Sequence, residues 1–217
     1  MKNAGKHLTA GTAWGTAGAG KCASFMSEAR KIALFGGTFD PVHLGHVHLA
    51  GLAREALGLD EVRFLPCRIS PHKAGLEPTA AADRLEMLER ATAALPWALV
   101  DDFELRHEGV SFSCETAEAM QARWPAARLF WIMGGDQWAA LPQWRDPERL
   151  AACVEFIVFS RGDKPLPHAG CVWHWVPGTH PASATAIREA LAQGQRTHPW
   201  LAPAVAAWIV RRKLYRG

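Results

Sequence analysis

The chain lacks any hydrophobic run long enough to cross a membrane, although 49% of its 217 residues are hydrophobic. A membrane-spanning helix needs about 20 consecutive apolar residues. We therefore expect no membrane partner. The 21% share of charged residues is ordinary for a globular protein, and the length is sufficient for one domain with a sizeable core.

The chain also lacks the cysteine pattern of a disulfide framework. Its five cysteines are odd in number, widely spaced and never arranged as Cys-x-x-Cys. This usage is typical of proteins in a reducing compartment, so we expect free thiols and a cytoplasmic location.

There is little excess of charge of either sign. The net charge of +3 reflects 24 basic and 21 acidic residues, and three of the lysines lie in residues 1–25, which contain no acidic residue. The remainder is formally neutral, which offers no electrostatic support for a nucleic-acid partner. Residues 1–25 are also rich in Gly and Ala without hydrophobic periodicity, so we expect a disordered extension there and one domain over residues 26–217.

The most informative segment that is present is GGTFDPVHLGH at residues 36–46. The apolar run at residues 31–35 predicts a buried parallel strand, and the two glycines after it predict a tight turn. Apolar residues recurring over residues 42–57 predict a helix. A helix start after such a turn presents backbone N–H groups and the positive end of the helix dipole, which favour phosphate.

His43 and His46 lie three positions apart, on one face of this predicted helix. Their imidazoles could donate hydrogen bonds to phosphate oxygens. An isolated pair with this spacing is more often a surface pair or a helix cap. The glycine turn before it is what favours a nucleotide site.

Short apolar runs and amphipathic segments alternate along the rest of the chain. Strands are predicted at residues 61–66, 98–100, 128–133 and 154–159, and helices at residues 83–95, 114–124 and 146–151. This alternation predicts an α/β fold, a doubly wound (Rossmann-like) parallel sheet with helices on both faces, in a single domain. Ligands of such sheets bind at the carboxyl ends of the strands.

Two further loops are expected at that edge. Lys73 follows Pro71 in a loop and would either contact phosphate or stay solvated. Gly134 and Gly135 follow a strand and precede Asp136, which could accept from ribose hydroxyls, cap the next helix, or do both.

A third segment, SATAIR at residues 183–188, begins a predicted helix. Ser183 or Thr185 would serve as its N-cap, and the hydroxyls together with Arg188 would also suit a second anion clamp.

These segments, with the LPQW element at residues 141–144, resemble in their order the HxGH nucleotidyltransferases, and among them the bacterial nicotinate-nucleotide adenylyltransferases. The resemblance implies an enzyme of NAD biosynthesis that joins nicotinate mononucleotide to ATP, giving deamido-NAD and pyrophosphate. It implies direct in-line attack by the mononucleotide phosphate on the α-phosphorus of ATP. Mg²⁺ would be carried by the ATP phosphates, with no protein metal site.

The resemblance also implies roles for individual residues. ATP would be bound by Gly36, Gly37, Thr38, Phe39, His43, His46, Gly134, Asp136, Ser183 and Arg188. The nicotinate nucleotide would be bound by Lys73, Ser113, Thr116, Trp144 and Arg161. His43, His46, Lys73 and Arg188 would form the catalytic group that neutralises charge on the leaving pyrophosphate.

Two alternatives stay open from the sequence. One is another HxGH transferase, with nicotinamide mononucleotide or phosphopantetheine as the acceptor. The other is a nucleotide-binding module without turnover. The oligomeric state is left open as well.

Overall fold

In a computed structural model of the chain, the described residues are 28–69, 78–107, 109–160 and 162–216. The extension expected over residues 1–25 lies outside these ranges, as do the candidate residues Lys73 and Arg161.

The structure is built on one six-stranded sheet in which every neighbouring pair of strands is parallel. The strands are β1 Lys31–Gly37, β2 Glu61–Pro66, β3 Ala98–Val100, β4 Arg128–Gly134, β5 Glu155–Ser160 and β6 Trp173–Pro177. Their spatial order is β3-β2-β1-β4-β5-β6, so the chain proceeds outward from β1 and then crosses to its other side at β4. This is the predicted doubly wound sheet, and the fold class is confirmed.

Helices cover both faces of the sheet. They are α1 Leu44–Leu57, α2 Ala81–Thr92, α3 Phe103–Arg106, α4 Ser113–Arg123, α5 Gly135–Ala140, α6 Pro147–Cys153, α7 Ala184–Ala192 and α8 Pro203–Arg212, with a 3₁₀ turn at Leu141–Gln143. Within the described ranges, no helix has the length and hydrophobicity needed to span a membrane.

Two apolar cores form because alternate residues of a strand face opposite sides of the sheet. Ala33 and Phe35 of β1 face one core, which also holds residues of α1, α2, α7 and α8. Ile32 and Leu34 face the other core, which holds residues of α4, α5 and α6. A sheet buried on both sides leaves its carboxyl-terminal edge as the place for a ligand.

Most predicted elements are confirmed, with shifted ends. Helix α1 begins at Leu44 rather than at residue 42, because the backbone of His43 is extended, with φ −140° and ψ 168°, and makes His43 the N-cap. α2 is Ala81–Thr92 rather than residues 83–95.

Four elements were not predicted: α3, α5, β6 and α8. The short α3 and α5 have too few turns to show a periodic pattern. Strand β6 pairs only with β5, and its Trp173, His174 and Trp175 are all partly exposed. An edge strand of this kind does not show the continuous apolar run of a central parallel strand.

Candidate functional site

A cleft lies along the carboxyl ends of β1 and β4 and consists of two adjoining lobes that share His46 and Gly134. The Trp144 lobe has a volume of about 380 Å³ and is lined by residues that include Gly36, Gly37, Thr38, Phe39, Glu104, Ser111, Ser113 and Trp144. The Asp136 lobe has a volume of about 740 Å³ and is lined by residues that include His43, Gly45, Asp136, Ser160, Thr179 and His180. Most of the described sequence-predicted residues line one lobe or both, whereas Thr116, Ser183 and Arg188 are not among the lining residues of either.

The two glycines that end β1, Gly36 and Gly37, are required by close packing. A Cβ on Gly36 would lie 3.0 Å from Cζ2 of Trp131, and a Cβ on Gly37 would lie 3.0 Å from Cζ of Phe39. The residue in the left-handed region is Phe39, not a glycine. Any side chain at either glycine would push an aromatic ring, so the floor of the Trp144 lobe depends on both.

His43 and His46 are stacked, with ring centroids 3.7 Å apart and an interplanar angle of 19°. The backbone N–H of His43 donates to Nδ1 of His46 over 3.2 Å. Since Nδ1 accepts this bond, the proton of the neutral His46 ring is on Nε2. The cap of α1 thereby presets His46 as a hydrogen-bond donor.

The environment of His43 keeps its ring neutral. Burial and the nearby His180 lower the pKa of His43 to about 4. Its Nδ1 is buried, with no hydrogen-bond partner in the described part of the chain. His43 can therefore give a bound anion a hydrogen bond at neutral pH, but not a full positive charge.

Gly45 allows two histidines to converge. A Cβ at this position would lie 3.0 Å from Nδ1 of His43 and 3.0 Å from Nδ1 of His180. His180 is held by Trp200, with ring centroids 4.9 Å apart, and its Nδ1 accepts from the N–H of Ala182 over 3.1 Å. The sequence pattern revealed nothing about His180, because it comes to α1 from the segment after β6.

The amino terminus of α1 differs in one respect from the expectation. The N–H of Leu44, its first residue, donates to the carbonyl of Trp200 over 2.8 Å, so this amide is not available to a phosphate. The prediction of unpaired N–H groups at this helix start is wrong for Leu44. The carbonyl of Trp200, in the segment before α8, accepts the hydrogen bond that was expected to go to a phosphate oxygen.

Arg188 and Ser183 flank the start of α7. Arg188 donates from Nη1 to the carbonyl of Asp40 over 2.7 Å and from Nη2 to Oγ1 of Thr185 over 3.3 Å. Ser183 accepts from the N–H of Ala186 over 3.4 Å and is the N-cap of α7. Arg188 is thus tied to the turn after β1.

Asp136 is exposed at the start of α5 and lines the Asp136 lobe. The backbone N–H of Gly134 donates to Oε1 of Gln137 over 3.3 Å. A side chain other than Asp136 therefore caps this helix, and the Asp136 carboxylate faces a space open to a ligand.

Ser113 and Trp144 line the Trp144 lobe, whereas Thr116 is not among its lining residues. Thr116 is 2% exposed, and its hydroxyl donates to Oε1 of Glu104 over 2.8 Å. Glu104 itself lines the lobe and was not predicted as a site residue. Its one sequence signal is the Glu104-Leu105-Arg106 segment, whose residue types do not by themselves indicate a role.

A doubly wound sheet with paired histidines at the first strand–helix junction is the architecture of a nucleotidyltransferase. The family model described as cytidylyltransferase-like matches residues 34–190. The chain belongs to this family.

Similar proteins with curated names show to which group within this family the chain belongs. A protein of Shouchella clausii named "Probable nicotinate-nucleotide adenylyltransferase" is 37% identical over 187 residues, covering 86% of this chain and 97% of that protein. A protein of the same name from Laribacter hongkongensis is 39% identical over 209 residues, covering 86% and 94%. Within the larger family, the chain is therefore a member of the nicotinate-nucleotide adenylyltransferases, which are nucleotidyltransferases of NAD biosynthesis.

A solved structure shares the fold. The Plasmodium falciparum nicotinic acid mononucleotide adenylyltransferase complexed with NaAD has a TM-score of 0.72, with 86% of this chain and 97% of that chain covered. Its sequence identity is 16%, so the likeness concerns the fold alone.

Proposed function

We propose that this protein transfers the adenylyl group of ATP to nicotinate mononucleotide, forming deamido-NAD and releasing pyrophosphate. The observation that carries the proposal is the pair of lobes that meet at His46 and Gly134. A reaction that joins two nucleotides needs two neighbouring spaces with phosphate-binding groups at their junction. The names of the relatives support the same pair of substrates.

ATP would occupy the Asp136 lobe, with its phosphates at the junction. His46 would donate from Nε2, and His43 would donate from its neutral ring. Arg188 would add positive charge beside the turn, where Asp40 holds its guanidinium. Asp136 would accept from hydroxyls of the ATP ribose.

The rate would come from positioning and charge stabilisation, because the proposed reaction needs no protein nucleophile. The mononucleotide phosphate would attack the α-phosphorus in line, and the positive charge would stabilise the departing pyrophosphate. Because His43 is neutral, that charge would come from Arg188, from Lys73 and from the metal ion. Lys73 is proposed from the sequence alone.

Mg²⁺ would arrive bound to the ATP phosphates. Among the described residues, no group of three or more His, Cys, Asp or Glu side chains could hold a metal ion. Mg²⁺ commonly keeps several waters and binds through one or two carboxylates plus substrate phosphates. The ion would therefore be held by the ATP phosphates and water, and would neutralise phosphate charge when bound.

Nicotinate mononucleotide would occupy the Trp144 lobe. Trp144 offers an aromatic face to the pyridine ring, and Ser113 opens α4 at the wall of the lobe. The positive end of the α4 dipole would favour the ring carboxylate. Thr116 would act indirectly by holding Glu104, and Arg161 is proposed from the sequence alone.

We also propose that the protein works in the cytoplasm. No disulfide joins any of the four described cysteines, Cys67, Cys114, Cys153 and Cys171, which agrees with a reducing compartment.

The proposal is tested by measuring pyrophosphate release from ATP and nicotinate mononucleotide by wild type and by His46→Ala. We expect the variant to lose on the order of 100-fold in kcat, as for the loss of one preset donor in other enzymes. Glu55→Ala is the control, since Glu55 is exposed in the last turn of the same helix. Folded His46→Ala with wild-type turnover would contradict the proposal.

The alternatives are separated in the same assay. Substituting nicotinamide mononucleotide or phosphopantetheine for the acid mononucleotide tests a different acceptor. ATP binding without product from any acceptor would show a nucleotide-binding module.

A further inference from the structure

Glu104 has an unusual position for an acidic residue. It lies in α3, is 6% exposed, and lines the Trp144 lobe. The proposed occupant of this lobe carries a carboxylate and a phosphate, so it is anionic overall. A buried acid facing an anionic ligand needs a physical reason.

The protein gives Glu104 hydroxyl partners rather than a cation. Thr116 donates to Oε1 over 2.8 Å, and the hydroxyl of Ser111 also stabilises the carboxylate. Among the described residues, no Lys, Arg or His nitrogen forms an ion pair with Glu104. Burial raises the pKa of Glu104, with His107 exerting a weaker opposite effect.

A carboxylate that is buried without a cation is costly, and the cost falls when a ligand supplies the missing positive charge. Nicotinate mononucleotide contains one permanently positive group, the quaternary nitrogen of its pyridinium ring. The same lobe contains Trp144, and cationic rings are attracted to the face of an indole. Glu104 and Trp144 therefore both favour the positive charge of the pyridinium ring.

We propose that Glu104 is the counter-ion of the pyridinium ring of the bound mononucleotide and selects a positively charged ring over a neutral one. This rests on the proposed function, because it takes the Trp144 lobe as the mononucleotide site. Thr116 is a positioning residue in this arrangement, since it holds Glu104 and is not among the residues that line the lobe.

The test compares two ligands with two proteins. One ligand is nicotinate mononucleotide, and the other is its C-nucleoside analogue, in which carbon replaces the ring nitrogen and the ring is neutral. Dissociation constants are measured by calorimetry for wild type and for Glu104→Gln. Any preference that Trp144 confers is present in both proteins and cancels in the comparison.

We expect wild type to bind the charged ring on the order of tenfold more tightly than the neutral ring, and Glu104→Gln to lose most of that preference. Thr116→Val, which retains the carboxylate but removes the hydroxyl that holds it, should weaken the preference less than Glu104→Gln does. An unchanged preference in Glu104→Gln would overturn the proposal. Equal loss of affinity for both ligands is one form of that outcome, and would assign Glu104 to the ribose instead.

Two features keep the result interpretable. If Glu104→Gln does not fold, equal binding of the two ligands by wild type is enough to overturn the proposal. Pyrophosphate release by wild type is measured separately, so failure of the proposed function is distinguished from failure of the counter-ion assignment.

Discussion

Arg188 donates from Nη1 to the backbone carbonyl of Asp40 over 2.7 Å, although the two residues are 148 positions apart. Asp40 belongs to the turn after β1, and Arg188 lies in the second turn of α7. The Asp40 carboxylate also accepts from the hydroxyl of Tyr215 and from the N–H of Thr79. Segments from distant parts of the sequence are thus held together at one turn of the cleft.

Replacing Arg188 by Lys tests this connection. Lysine keeps the charge, but it lacks the planar set of N–H donors with which a guanidinium can bond to the Asp40 carbonyl and to a phosphate at the same time. We expect kcat/KM for ATP to fall about 10- to 100-fold, as for loss of one charged hydrogen bond, while KM for the mononucleotide changes little. Arg196→Lys, at an exposed position after α7, is the matched control. Equal kinetics for the two variants would contradict the role of Arg188.

Gly45→Ala should separate activity from stability. The added Cβ would meet the rings of His43 and His180 at 3.0 Å, so we expect at least a tenfold loss of turnover. Alanine is the better helix former by up to about 1 kcal/mol, so the free energy of unfolding should change little. Gly51→Ala on the same helix meets Trp97 at an ordinary 3.9 Å and should keep full activity. Steady-state kinetics and urea unfolding of both variants check this.

Arg84 should be required for stability. It is 1% exposed and donates over 2.8 Å to each of the carbonyls of Thr38, Cys67 and Thr79. Arg84→Met would leave these carbonyls without their donor, and we expect a loss on the order of 3 kcal/mol or more in the free energy of unfolding. Urea denaturation measures it, and Arg196→Met is the exposed control. A loss below about 1 kcal/mol would show that water or other donors replace Arg84.

Stability should depend on pH through His43. The pKa of this ring is about 4 in the folded protein against an ordinary 6.5, so between these values the unfolded state binds more protons. Stability is therefore expected to fall as the pH is lowered from about 6.5 to about 4. The contribution of His43 is up to about 3 kcal/mol, since each pKa unit corresponds to about 1.4 kcal/mol.

His43→Gln removes this contribution, so the wild-type and variant curves of unfolding free energy against pH should diverge over that interval. His180, whose pKa is lowered by burial and by His48, gives a slope of the same sign in both proteins. Parallel curves would show that the pKa of His43 is the same in the folded state as in the unfolded state.

The sequence by itself determined the features that depend on neighbouring residues. Apolar runs and glycine turns predicted the strands β1 to β5, the helix after β1 and the doubly wound order. The GGTFDPVHLGH segment predicted the position of the junction between the two lobes, where phosphate binding is proposed, through its residue types and their spacing. These features can be predicted because the hydrophobic patterns of strands and helices lie within short stretches of chain.

Only the tertiary structure decided which groups meet across long separations. It placed His180 against His43 through the missing Cβ of Gly45, and the carbonyl of Trp200 on the first amide of α1. It buried Thr116 behind Glu104, so that Glu104 and not Thr116 lines the Trp144 lobe. The packing of α4 and of the segments flanking α7 against the sheet creates these contacts, and no local pattern of residue types encodes them.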